Sequence, residues 1–149
     1  MRVRYLKPLG GTPVQRFLLN AIEAERPWSG PLQVTIPNWD QEGVFVENKV
    51  GEVISAMAFE RSVWDRTVVI GYAFTDPKHR RKGHHSKLFK AVCKIAKRDG
   101  YYKIRRSVKG DNKVMIAAIE AQGCVMTSRT YTFYFLDVKT DSIKDKFEL

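Results

Sequence analysis

The 149-residue sequence predicts one mixed α/β domain, an antiparallel run of strands that crosses through a helix into a parallel strand. Three observations predict it. Strand-like runs at residues 44–48, 52–60 and 67–75 are joined by turns at 48–51 and 62–66, and links this short favour antiparallel neighbours. A helical stripe then starts at Ser86 and a further strand-like run follows it, and a strand–helix–strand crossover pairs its strands in parallel. A hydrophobic share of 44% over this length is enough to bury a real core in a single domain.

The elements follow in order. Residues 2–7 alternate like a short strand. Thr12 is placed to cap a helix that has Pro13 at its first position, where proline's missing N–H costs nothing. Phe17, Leu18, Ala21, Ile22 and Ala24 give that helix an apolar stripe. Residues 26–41 carry four proline or glycine positions with Trp28 and Trp39, and read as a structured loop with a short strand at 32–36. The three strands come next. Residues 86–98 form a helix whose buried stripe is Leu88, Val92, Ile95 and Ala96, with Lys87, Lys90, Lys94 and Lys97 opposite and Gly100 as its stop. The strand at 101–108 should pair in parallel with 67–75. Asp111 or Asn112 opens a second helix running to Gln122, with Gly123 in the C-cap position. Residues 124–127 and 130–138 read as a closing hairpin, so the domain spans 1–138 and 139–149 is a solvated tail.

The net charge of +10 is unevenly placed. Residues 78–106 hold twelve Lys or Arg against a single acid, Asp99, so the basicity belongs to one element and its flanks. Two readings stay open: a solvated helix face beside an anion site, or a nucleic-acid surface along residues 87–98. No apolar run approaches the roughly 20 residues of a membrane helix, and the N-terminus lacks a signal-peptide pattern. Cys93 and Cys124 sit among apolar residues and read as small buried hydrophobes in a reducing compartment, so a cytoplasmic protein without a membrane partner is expected. His79, His84 and His85 do not suggest a metal. Adjacent helical side chains diverge by about 100°, and no carboxylate or cysteine stands at ligand spacing.

Residues 75–88 are the most informative stretch. A strand breaks at Pro77 into Lys78-His79-Arg80-Arg81-Lys82-Gly83, and a helix begins just beyond. A basic, glycine-bearing turn at a helix N-terminus aims backbone N–H groups and the positive dipole end at one place, which is how a backbone holds phosphate.

Arg80-Arg81-Lys82-Gly83-His84-His85, with Pro77 three positions before it, is similar to the acyl-CoA signature of the GNAT superfamily, the Gcn5-related N-acetyltransferases. Asn112, followed eleven residues later by Gly123, matches a second element of that family, and the element order agrees over about residues 2–138. The resemblance implies a twisted, mostly antiparallel sheet whose central parallel pair splays at the acyl-CoA site, with helices on both faces. It implies acetyl-CoA as cosubstrate and an acceptor amine, whose identity the sequence leaves open. The backbone of Phe74 and Thr75, at a bulged strand end, would hold the pantetheine arm and polarise the thioester. The turn from Arg80 through Arg81, Lys82, Gly83, His84, His85 and Ser86 would hold the pyrophosphate, and Asn112 would bond the arm.

The chain departs from the family pattern at three positions. His85 replaces a small residue, so its side chain has to point away from the phosphates. Ile119 stands where many relatives carry a tyrosine acid, and Cys124 where an aromatic residue usually follows the glycine. The catalytic acid and base therefore remain unassigned among Tyr72, Ser107, Glu60, Tyr131 and Tyr134, and Trp28 and Trp39 are open as walls of an acceptor pocket or as core. Two non-catalytic readings compete, a nucleic-acid-binding module and an acyl-CoA-binding protein. A homodimer is a further open reading.

Overall fold

A computed structural model of the chain describes residues 1–29, 38–108 and 112–128. The order is β1 (Val3–Leu6), α1 (Pro13–Ser29), β2 (Glu42–Glu47), β3 (Val53–Ser62), β4 (Thr67–Thr75), a 3-10 turn (Pro77–His79), α2 (His84–Arg98), β5 (Lys103–Arg106) and α3 (Lys113–Ala121). The five strands form one sheet in sequence order. β1 to β4 are antiparallel neighbours, and β5 joins β4 in parallel after the α2 crossover. The expected mixed sheet is therefore present, with helices on both faces.

Thr12 does cap α1: its hydroxyl oxygen accepts from the Gln15 N–H at 3.2 Å while donating to the Leu9 carbonyl at 2.6 Å. α1 outruns its expected end, since residues 26–29 continue the helix through Pro27. Pro27 falls in the last turn, where its missing N–H removes one ladder bond and only two residues of helix follow. Meanwhile Val14, Leu18, Ala21 and Ile22 anchor the helix on the sheet. The strand expected at 32–36 and the hairpin arm at 130–138 lie outside the described residues. Residues 124–127 carry no strand among the described residues, and the arm expected to pair with them lies beyond those residues.

Two cores flank the sheet. On one face α1 covers Phe45, Ala56, Ala58 and Tyr72. On the other, Leu88, Phe89, Val92 and Ala96 of α2 cover Val44, Met57, Phe59, Val68 and Ile70. β4 changes face along its length. Val68 and Ile70 point at α2 and strict alternation would send Tyr72 there too, yet Tyr72 and Phe74 pack on the α1 side and Ala73 on the α2 side. The cause is a bulge: Ala58 opposes Tyr72 and Phe59 opposes Ile70, leaving Gly71 as the extra residue that inverts the pleat.

A half-buried ionic knot ties α2 to the sheet. Arg61 on β3 grips Glu42 on β2 through two N–H groups at 2.7 and 2.8 Å, and a third reaches Asp99 at the end of α2. The Tyr5 hydroxyl donates to the same Glu42 carboxylate. Burial alone would raise the Glu42 pKa, but hydrogen bonds from Arg61 and Tyr5 overcome it and hold the group below its ordinary value.

Candidate functional site

β4 and β5 separate where the bulge lies. Their parallel pairing covers Thr67–Ile70 against Lys103–Arg106 and stops at Ile70/Arg106, one residue before Gly71. Beyond that point β4 keeps β3 on one side, while among the described residues no strand pairs with its other edge.

The register shows which backbone groups face this open edge. Opposite residues of an antiparallel ladder alternate between sharing two hydrogen bonds and sharing none. The Asp76 N–H donates to the Ile54 carbonyl at 2.9 Å, which makes 54/76 a bonded pair. Counting back along the register, Phe74 and Tyr72 bond to Ala56 and Ala58, whereas Ala73 and Thr75 turn their N–H and C=O groups to the open edge. Two contacts agree. The Ser55 and Thr75 hydroxyls meet at 2.8 Å, as a close non-bonded pair allows, and the Thr75 carbonyl accepts from Arg80 Nε at 3.0 Å. The sequence reading placed Phe74 among the edge residues, but its backbone serves β3 and Ala73 takes that place. The bulge, three residues before Phe74 rather than at it, sets the phase.

The turn is braced from both ends. Asp76 caps the 3-10 turn by accepting from the Lys78 N–H at 3.2 Å, and its carboxylate lies 3.3 Å from His79. The exposed Arg80 guanidinium folds back over the Phe74 ring, 5.3 Å from its centre, and braces the turn against the end of β4. Arg81 then takes a left-handed backbone with φ of 62°, and Gly83 another at 79°. Left-handed geometry in a non-glycine residue is strained, and it persists where the surroundings require that shape. α2 starts directly after Gly83 with no side-chain cap and no acid in its first turn. The first N–H groups of a helix have no partner within it, so those of His84, His85 and Ser86 are left for an anion.

The side chains of the three turn histidines do not converge. His79 faces Asp76. His84 is buried, its ring nitrogens have no hydrogen-bond partner among the described residues, and burial together with Lys87 lowers its pKa. His85 points away from the turn, as its replacement of a small residue requires. Its Nε2 lies 2.9 Å from Arg106 at the end of β5 and its Nδ1 3.0 Å from the Gln122 amide after α3. Arginine offers only donors, so Nε2 accepts from Arg106 and the neutral ring carries its proton on Nδ1. Arg106 also reaches Gln122 at 3.3 Å and stacks over Phe89 at 5.5 Å. Thus one side chain ties the start of α2 to β5 and α3.

Burial, with the Arg106 charge beside it, pushes the His85 pKa down from 6.5 to about 4. Because the unfolded chain binds this proton more readily, stability contributed by neutral His85 is complete above about pH 6.5 and is lost as pH falls toward 4. His85→Asn removes the titration. Denaturant melts across that window should show a shallower pH slope for the variant than for the parent chain, and equal slopes would contradict the assignment.

The remaining expected residues are scattered. Asn112 caps α3, its side-chain oxygen accepting from the Met115 N–H at 3.1 Å. Ile119 is buried. Tyr72 is a core residue on the α1 face, and Glu60 and Ser107 are exposed. The exposed Trp39 ring lies so close over Gly10 that a β-carbon there would overlap it. Of Trp28 only its place in α1 is described, and Tyr131 and Tyr134 lie outside the described residues. Sequence reasoning missed Ala73, Arg106 and Gln122. Arg106, a cation on the buried side of a strand register, was the one detectable signal.

Residues 16–124 match the acetyltransferase (GNAT) family. Among solved structures, a mutant of the BH1408 protein from Bacillus halodurans superposes with a TM-score of 0.70 at 15% identity, covering 91% of this chain and 100% of that one. The aminoglycoside N-acetyltransferase AAC(6')-Iy in complex with CoA gives 0.65 at 14% identity, over 89% of this chain and 98% of that one. A ribosomal-protein-alanine N-acetyltransferase from Brucella melitensis gives 0.66 at 12% identity, over 90% and 99%. No curated protein sequence matches the chain significantly. At such identities the structures speak for the fold, but the family match covers well over half of the sequence. The chain belongs to the acetyltransferase (GNAT) family.

Proposed function

We propose that the chain transfers the acetyl group of acetyl-CoA to a primary amine, with the cosubstrate's pyrophosphate on the backbone N–H groups of residues 81–86. The observation that carries this reading is the uncapped start of α2 behind the left-handed Arg81 and Gly83. Free N–H groups, the helix dipole and the cations Arg81 and Lys82 all favour a phosphate there. From this anchor the pantetheine arm runs along the open edge of β4, bonding the Thr75 N–H and the Ala73 backbone as an added strand would. Asn112 meets the arm from the far side.

The thioester oxygen then lies on the Ala73 N–H. As the amine nitrogen attacks, charge builds on that oxygen, and a preset donor there is worth about 3 kcal/mol of barrier. Holding amine and thioester together supplies further rate through proximity. The C–S bond breaks, CoA leaves as thiolate, and the acetylated nitrogen gives up its proton to solvent. Phe17 packs against Phe74 at 5.6 Å between ring centres, so α1 closes the sheet face next to the reacting edge and gives the acceptor its wall.

Thiol release from acetyl-CoA, measured over a panel of aminoglycosides, polyamines and N-terminal alanine peptides, tests the reading. Amine-dependent release is expected with at least one member. Ile119, a buried apolar residue where relatives carry an acid, favours a second reading as an acyl-CoA-binding protein without turnover. Tight acetyl-CoA binding with no release on any amine would select it.

A further inference from the structure

The exposed positions of α2 are all basic: Lys87, Lys90, Lys94, Lys97 and Arg98. The four lysines recur every three or four residues on one face, a rise of about 4.5–6 Å per step and about 15 Å in all. The helix contains no acidic residue, and among the described residues none of these lysines has a carboxylate within 4.0 Å. The neighbouring Asp99 is already held by Arg61 and Arg98. Lys97 stands about 20 Å along the helix from its phosphate-facing start, so a pyrophosphate there does not account for the stripe.

At the far end of the stripe the surface changes character. The Tyr102 N–H bonds to the Arg66 carbonyl at 2.9 Å, which sets the β3–β4 hairpin tip beside the end of α2. On that tip Trp64 is fully exposed, and Tyr102 is 84% exposed. Arg66, Lys103 and Arg105 each stand within three residues of one of the two rings along the sequence. Asp65, the acid between them, lies 3.8 Å from Arg105, and its pKa is lowered chiefly by its hydrogen bond with Ser62. A large ring left wholly in water gives the fold no burial energy, and exposed aromatic rings on a cationic stretch of surface are stacking platforms for bases.

We propose that this track, from Lys87 along α2 to Trp64 and Tyr102, binds a single-stranded nucleic acid, with phosphates on the lysines and bases stacked on the two rings. A duplex offers no free base faces to the rings. An anionic membrane would call for apolar residues interleaved among the lysines, and the exposed face of α2 carries none. The site is independent of the acetyl-CoA reading and can be occupied alongside it.

Fluorescence anisotropy with a labelled oligothymidylate of about 20 nucleotides tests the proposal on the whole chain. Binding is expected at low salt, weakening at least tenfold between about 50 and 200 mM salt. Lys90→Glu, Lys94→Glu and Lys97→Glu together should weaken it about tenfold or more and flatten the salt slope. Trp64→Ala with Tyr102→Ala should weaken it by about tenfold while leaving the slope intact. Circular dichroism establishes that each variant is folded. Four results would overturn the proposal: no binding at low salt, indifference to both variants, displacement of the oligonucleotide by CoA, or tighter binding of duplex, polyglutamate or anionic vesicles. Displacement by CoA would place the strand in the phosphate turn and leave the acetyl-CoA reading standing.

Discussion

Gly83→Glu is expected to abolish acetyl-CoA binding, lowering affinity by more than a hundredfold, while the fold survives. Two effects add. Gly83 has φ of 79°, which a side chain adopts only at a cost of about 1–2 kcal/mol. The new carboxylate would also sit at the mouth of the helix N-terminus, against an incoming pyrophosphate of the same sign. Gly83→Ala separates the two. A β-carbon at this position meets no atom within 4 Å, so alanine carries only the backbone strain and should lose far less affinity. Calorimetric titration of both variants, with circular dichroism as the check on folding, decides it. Unchanged affinity in the glutamate variant would mean that the turn does not hold the phosphates.

Arg61→Met should cost about 3 kcal/mol of stability, a fall in melting temperature on the order of 10 °C. The arginine side chain is 20% exposed and the Glu42 side chain it grips only 4%, so its removal strands a buried carboxylate. Adding Glu42→Gln should restore part of the loss, because an uncharged amide tolerates the same site better. Glu42 and Asp99 both have lowered pKa values in the folded chain. Their contribution is therefore present above the ordinary carboxylate range and is lost as pH falls below it toward the lowered values, and Arg61→Met should remove the Glu42 share of that acid sensitivity while Arg98 keeps its hold on Asp99. Denaturant melts at neutral and acidic pH measure both effects.

Much of the architecture was legible because local signals and packing agree. Thr12-Pro13 starts a helix, Gly100 follows the end of α2 with a φ of 81°, and the 67–75 strand has the expected bounds. The turn was legible for the same reason, since Gly83 and the cations stand at fixed offsets from a strand and a helix. What could not be read depends on register and distant partners. Gly71 looks like any strand glycine until Ala58 and Phe59 are paired across from it, and only that pairing turns Ala73 outward in place of Phe74. The side chain of His85 could be argued to point away, but its partners Arg106 and Gln122 come from elements 21 and 37 residues further along. The end of α1 was misjudged because Pro27 was weighed as a breaker without the sheet that the helix packs on.

The central claim is that the Arg81–Gly83 turn and the open edge of β4 together seat the acetyl-CoA. A crystal structure of the chain with acetyl-CoA bound tests it most directly. The pyrophosphate should lie within hydrogen-bond reach of the backbone N–H groups of residues 81–86, with the thioester oxygen on the Ala73 N–H. Phosphates bound elsewhere, or a thioester lying away from the β4 edge, would contradict it.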